Sequence, residues 1–186
     1  MDFGDTHQAW IIIGASIIIL VVLYNTFLVK RNEVKKAFST MDVMFKRRFD
    51  LMPNLVQAVK MFMEHEKEIF ERITQLRSTI FDDKSSNEEK IMADDEASKI
   101  VRKINFTAEN YPDLKSNTNL LQAQMALKEC EDEISAARRL YNANVTAYNN
   151  VTGFFPLNIF ALIMGFRKYK LFEATTQERE NQEWFK

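Results

Sequence analysis

Apolar residues recur at Val34, Phe38, Met41, Phe45, Met52, Leu55, Val59, Phe62, Ile69, Ile73, Leu76 and Ile80, three or four apart except across two wider gaps. This is the period of a helix that buries one face. The gaps are occupied by Arg48 and Glu66. A second stripe, Phe49, Val56, Met63 and Phe70, runs beside the first, so the apolar face is wider than a two-stranded coiled coil needs. The register carries past Pro53, and the pattern predicts one helix bent there. A proline inside a helix removes one backbone N–H and pushes away the carbonyl four residues back, that of Phe49. The alternative is a new helix capped by Asp50, with Pro53 in its first turn. A continuous helix over residues 10–80 would be about 105 Å long.

Upstream, residues 10–29 (WIIIGASIIILVVLYNTFLV) contain no charge and are long enough to span a bilayer. Trp10 and Tyr24 mark its two ends. A cleaved signal peptide would begin with basic residues, whereas MDFGDTHQ carries Asp2 and Asp5 and no Lys or Arg. A retained transmembrane helix is therefore expected. The flank that follows holds Lys30, Arg31, Lys35, Lys36, Lys46, Arg47 and Arg48 against Glu33 and Asp42. Positive flanks stay cytoplasmic, which puts the N-terminus outside and the rest of the chain inside. The same charges either touch anionic headgroups or only set topology and form a solvated face. The expected organisation is a short extracytoplasmic segment (1–9), a transmembrane helix (10–29), a helical domain (30–174) and a polar tail (175–186).

Residues 82–96, DDKSSNEEKIMADDE, have seven acids against two lysines and read as a solvated connection, partly helical near its end. A short helix over 97–108 follows, then a corner at NYPDLKSNTN. From Leu120 a second long stripe runs through Ala123, Leu127, Cys130, Ile134, Ala137, Tyr141, Asn144, Tyr148 and Val151. Its alternating small residues permit close helix packing. Asn144 would fix its register, and Cys130 reads as a small core residue. Arg48 on the apolar face requires an acidic partner from another helix. Glu129, Glu131, Asp132 and Glu133 are candidates for Arg47 and Arg48. Residues 154–166 are apolar but too short to span a bilayer, and read as a buried short helix, an oligomer contact, or an interfacial anchor with Arg167, Lys168 and Lys170 at its basic end.

Composition narrows the classes. Four Gly and three Pro in 186 residues exclude a turn-rich β fold. A net charge of −1 gives no reason to expect nucleic acid as a partner. Cys130, the one cysteine, permits no internal disulfide and suits a reducing compartment. His7 and His65 cannot assemble a typical zinc site, and four glycines leave no phosphate loop. Arg47, Arg48 and Asp50 have no His, Cys or Ser beside them to serve as base or nucleophile. No catalytic site, metal or cofactor is expected. The fold class is all-α: an N-terminal transmembrane helix continuing into a long antiparallel helical-bundle or coiled-coil domain.

Several long stretches, in order, resemble the LemA family: YNTFLVKRNEVKKAF, FKRRFDLMPNLVQAV, HEKEIFERITQLR, AENYPDLKSNTNLLQ, EISAARRLYNANVTAYN and FPLNIFALIMGF. The resemblance covers residues 22–174. It implies a bacterial protein with one N-terminal transmembrane helix and a helical bundle, from a family without established enzymatic activity, one branch of which is associated with magnetosome membranes. The positions that match its motifs are Arg47, Arg48, Asp50, Pro53, Asn54, Tyr111, Pro112, Asp113, Leu114, Arg138, Arg139, Tyr141, Asn142, Phe155 and Pro156. Their expected role is structural or interactive. Two departures stand out: the acidity of 82–96, and RKYKLFEA (167–174), which lacks the family's proline before the aromatic residue. The expected function is a non-enzymatic scaffold on the cytoplasmic membrane of a bacterium, partnered by the lipid bilayer and by copies of itself. The alternative is an adaptor for another membrane protein, docking through 82–96 or 154–166.

Overall fold

The computed structural model describes residues 3–60, 66–111, 114 and 117–172. Five helices account for most of them: α1 (Phe3–Val59), α2 (Glu66–Phe81), α3 (Asn87–Glu109), α4 (Thr118–Gly153) and α5 (Leu157–Ile163). No strand occurs among the described residues. The expected all-α class is what forms. The chain divides into two units, Phe38–Arg139 and the pair Met1–Ala37 with Leu140–Lys186.

The unit Phe38–Arg139 is a bundle of four helical stretches. α1 and α2 are antiparallel: Arg77 of α2 pairs with Asp50 of α1 at 2.8 Å, and Lys46 lies over the ring of Phe81. α2 and α3 form a second antiparallel pair, joined by Asp82–Ser86. In that turn Asp82 Oδ1 accepts from Lys84 N–H at 2.9 Å. Ser86 and Glu89 then start α3 with a reciprocal capping box. α3 and α4 pair through Arg138 and Asp94 at one end and Gln124 and Asn105, 3.0 Å apart, at the other. The core is filled from the stripes read in sequence: Met41, Phe45, Phe49, Met52 and Leu55 from α1, Ile73 and Ile80 from α2, Ile104 from α3, and Leu120, Leu127, Cys130 and Ile134 from α4.

Two expectations about this unit change. The rod over 10–80 does not form. α1 is helical through Pro53 to Val59, and α2, from Glu66, runs antiparallel to it, so the single stripe belongs to two helices facing one core. The second stripe, which widened the apolar face beyond a two-stranded seam, divides: Phe49 and Val56 are buried, while Phe70 is exposed. Phe62 and Met63, and His65, lie outside the described residues, and so does the tail 175–186. Residues 87–96, read as mostly connection, are the first turns of α3, with Lys90, Ala93 and Asp94 buried.

In the other unit, α1 begins with outward-facing Ile, Leu and Val side chains over residues 11–22. The hydroxyls of Ser16 and Thr26 donate to the carbonyls of Ile12 and Val22, both at 2.8 Å, so they are satisfied within the helix. α1 is the one described helix long and apolar enough to cross a membrane. The α4 stripe shifts here. Val145 and Thr152 are buried where Asn144 and Val151 were expected, and Asn144 only bonds back to Leu140 O. Two successive four-residue steps, 137–141–145, account for the shift, because a straight helix drifts from a strict seven-residue repeat.

Candidate functional site

The chemistry is concentrated around Arg48. Its side chain is 1% exposed, and Asp94, its α3 partner at 2.6 Å, is 0% exposed. A buried unpaired guanidinium would be untenable, so the site depends on how fully the charges are matched. Arg48 also donates to Ser98 Oγ at 2.6 Å and pairs with Glu131 of α4. Asp94 in turn receives Arg138 of α4 at 2.8 Å, and the same guanidinium reaches Asp95 at 2.7 Å. Next to this group Lys90 of α3 pairs with Asp42 of α1 at 2.9 Å, and Asp42 also holds Lys46 at 3.0 Å. Three helices are thus tied through one carboxylate. Burial pushes the Asp94 carboxyl up by more than the two guanidiniums draw it down.

Arg47, one residue away, is exposed and pairs with Glu133, with Glu129 at 3.9 Å. Three of the four acids expected as partners are therefore used: Glu131 by Arg48, and Glu133 and Glu129 by Arg47. Cys130 is enclosed beside them, its Sγ donating to Met44 O at 3.6 Å. Burial pushes the Cys130 thiol up, so it stays protonated and packs as a small core residue.

Pro53 has its own arrangement. Its missing N–H frees the Phe49 carbonyl, and Arg77 Nη1 from α2 donates to that oxygen at 2.9 Å. Asp50 holds the same guanidinium from the side, and the Phe81 ring lies 4.6 Å from it. Asp50 is thus a mid-helix ion partner, and the alternative of a new helix capped by it does not form. Asn54, a turn later, lines an open groove with Leu51 and Gln57 of α1 and Asn117 and Gln122 near the start of α4. Asn117 caps α4, its Oδ1 accepting from Asn119 N–H at 2.9 Å and Leu120 N–H at 3.3 Å. Tyr111 is exposed at the end of α3 and Leu114 is buried. Pro112 and Asp113 lie outside the described residues.

In the other unit, two asparagines seven apart on α4 hold the extended segment that follows α5. Asn142 exchanges two hydrogen bonds with the backbone of Phe172, at 2.7 and 2.9 Å. Asn149 does the same with Tyr169, at 2.8 and 3.0 Å. Tyr169 and Phe172 of the proline-free run are thus pinned by side-chain amides. Tyr141 is buried and Arg139 exposed. Phe155 and Pro156, joined by a cis peptide, precede α5. α5 itself is not the buried short helix that was one expectation: Ala161 is buried, whereas Phe155 and Leu162 are each 81% exposed.

The structure therefore joins Arg48 to Arg138, and Asp50 to the carbonyl freed by Pro53. The residues that sequence reasoning missed are Asp94, Asp95, Ser98, Arg77 and Asn149. Asp94 had a signal: it sits beside Ala93 and Ala97 on the small-residue face of α3, one turn after Lys90. The buried cations of the cluster are each matched by a carboxylate, so the arrangement locks helices together. Among the described residues no group of three His, Cys, Asp or Glu side chains converges as a metal site would require.

Comparison with known proteins identifies relatives along most of the chain. Protein LemA of Metamycoplasma hominis is 28% identical over 90% of this chain and 76% of its own length. Magnetosome protein MamQ 2 of Paramagnetospirillum magneticum is 24% identical over 91% of this chain and 73% of its own. Magnetosome protein MamQ of Magnetospirillum gryphiswaldense is 22% identical over 85% and 67%. The model of the LemA family matches residues 37–183, from the start of the bundle unit through α5 and beyond. The chain belongs to the LemA family.

Proposed function

We propose that the protein is a non-enzymatic scaffold, anchored in the bacterial cytoplasmic membrane by residues 10–29, with its N-terminus outside and its helical domain in the cytoplasm, where it self-associates. The observation that carries this reading is the double use of α1. One helix holds an outward-facing uncharged apolar stretch and then supplies the core of the bundle. Whatever the bundle binds is thereby tied to a membrane. The seven basic residues between Lys30 and Arg48 support the orientation. Exposed Val43, Met92, Phe106, Leu121 and Met125 on the bundle support lateral contacts. Light scattering of the full chain in detergent or nanodiscs tests the assembly. A particle of several chains is expected, and a clean monomer at the same protein density overturns the scaffold.

A second reading, an adaptor for another membrane protein, draws on the exposed acids Asp82, Asp83 and Glu88. Deleting 82–96 is no test of it, since Asp94 and Lys90 would be lost with the deletion. Neutralising Asp82, Asp83 and Glu88 is the discriminating change. Loss of a crosslinked partner at unchanged melting temperature supports the adaptor, and an unchanged crosslink removes this docking surface.

A further inference from the structure

α5 ends in a Schellman motif. Phe166 N–H donates to Ala161 O at 2.9 Å and Gly165 N–H to Leu162 O at 3.2 Å, with Gly165 at φ 75°. The left-handed turn returns Phe166 to α1. There its ring stacks on Phe27 at 5.1 Å and meets Tyr24 at 6.0 Å. Tyr24 and Phe27 lie in the last two turns of the apolar stretch 10–29, just before Lys30 and Arg31. α5 is therefore held at the level where the span ends. Its outward side chains at that level are apolar: Phe154, Phe155, Leu162 and Ile163 are all more than half exposed. Arg167, Lys168 and Lys170 follow within one short extended segment.

We propose that the apolar turn around α5, backed by Arg167, Lys168 and Lys170, is a second membrane contact. It lies in the interfacial layer of an anionic bilayer beside the emerging end of α1, without crossing. The position favours lipid over other occupants. Apolar side chains at the end of a span meet acyl chains, and cations directly behind them meet phosphates. Seven residues of helix are too few to cross the bilayer, and they suffice to lie along its surface. The inference rests on the reading of α1 as a membrane helix, so the test reports on both.

The full chain carries an environment-sensitive fluorophore at Leu162→Cys, or at Phe155→Cys as an independent second site, in vesicles of phosphatidylcholine and phosphatidylglycerol. Cys130 is buried and stays in place, and the unmutated chain sets the background labelling. Ile18→Cys reports on the span. The expected result is loss of fluorescence at both 18 and 162 with doxyl-labelled lipid, from a shallow doxyl position at 162 and a deep one at 18. Quenching at 18 with water-like emission at 162 and 155 overturns the second contact and leaves the anchor standing. Quenching at neither position overturns the anchor. A crosslink between two copies at 162 without lipid quenching overturns lipid in favour of a second chain.

Discussion

The two units place unlike residues where water would not have them. The unit Phe38–Arg139 buries Arg48, Lys90, Asp94 and Arg138, all charged. The other exposes Ile, Leu and Val along α1 and Phe155 and Leu162 around α5. Both placements cost free energy: several kcal/mol for each buried ion, and about 25 cal/mol for each Å² of apolar surface left in water. The bundle removes its cost internally, since each buried cation faces a carboxylate a few ångströms away. Among its described residues, the other unit leaves its outward apolar surface uncovered. A misplaced polar group that is fully matched therefore reads as part of the fold, and a misplaced apolar surface that is unmatched reads as contact with another solvent.

The strongest way to break this contrast is at Asp94. Asp94→Ala removes the carboxylate shared by Arg48 and Arg138 and leaves two buried guanidiniums short of charge. The bundle is expected to lose about 3–5 kcal/mol, read as the shift in a denaturant or thermal transition followed by circular dichroism in detergent. Replacing Arg48, Asp94 and Arg138 together by Met, Leu and Met should cost far less than the single change, because it removes the buried charges together and the carboxylates left behind, Glu131 and Asp95, reach solvent. If Asp94→Ala is tolerated with a loss under about 1 kcal/mol, the cluster is not what joins the three helices.

What the residues disclosed in advance follows the same division. The helical faces, the uncharged stretch 10–29, the enclosure of Cys130 and the need of Arg48 for an acidic partner from another helix were legible, because each is a local demand; which of the four candidate acids would serve was not. The reversal between Val59 and Glu66 was not. Residues 60–65 contain neither Gly nor Pro, and two antiparallel helices that face one core keep the same three- and four-residue spacing as a single helix. The one proline nearby marks no break, as its unbroken register implied, and Arg77 answers the carbonyl it frees. Asp94 was hidden by composition: an acidic run reads as solvated, and only the packing of α3 turns one of its members inward. The exposure of α5 was open among three readings (buried helix, oligomer contact, interfacial anchor), because a short apolar segment has the same sequence whether a core, a second chain or a lipid surface covers it.

A smaller effect sharpens the account of Pro53. Arg77→Ala leaves the Phe49 carbonyl without its partner, at a cost of about 1 kcal/mol for a half-exposed charged donor. Pro53→Ala restores an N–H to that oxygen from within α1, so Arg77→Ala in the Pro53→Ala background should cost distinctly less. The double-mutant cycle measures the coupling directly. Equal costs in both backgrounds would mean that Arg77 acts only through Asp50 and Phe81, and that the proline is indifferent to it.

The smallest effect is one of pH, and it separates the start of α3 from α5. Hydrogen bonds from the backbone and hydroxyl of Ser86 hold the Glu89 carboxyl below the usual glutamate range. The bond to Arg72 does the same for Glu96. A depressed native pKa means that the stabilisation is complete above the ordinary glutamate value and is lost as pH falls through the native one. The first turns of α3 should therefore fray in acid, visible as faster amide hydrogen exchange over residues 87–93 after correction for the intrinsic rate. In Ser86→Ala the contribution of Glu89 to that acid sensitivity should shrink without vanishing, because its carboxyl loses the hydroxyl but keeps the backbone N–H of residue 86, the larger of the two causes. α5, LNIFALI, contains no titratable side chain and starts at Pro156 without a side-chain cap. Its exchange should be flat over the same pH range. Parallel acid fraying of both segments would mean that α5 is held by an ionisable group of its own unit, and the contrast between a self-matched bundle and an outward-facing turn would lose its simplest form.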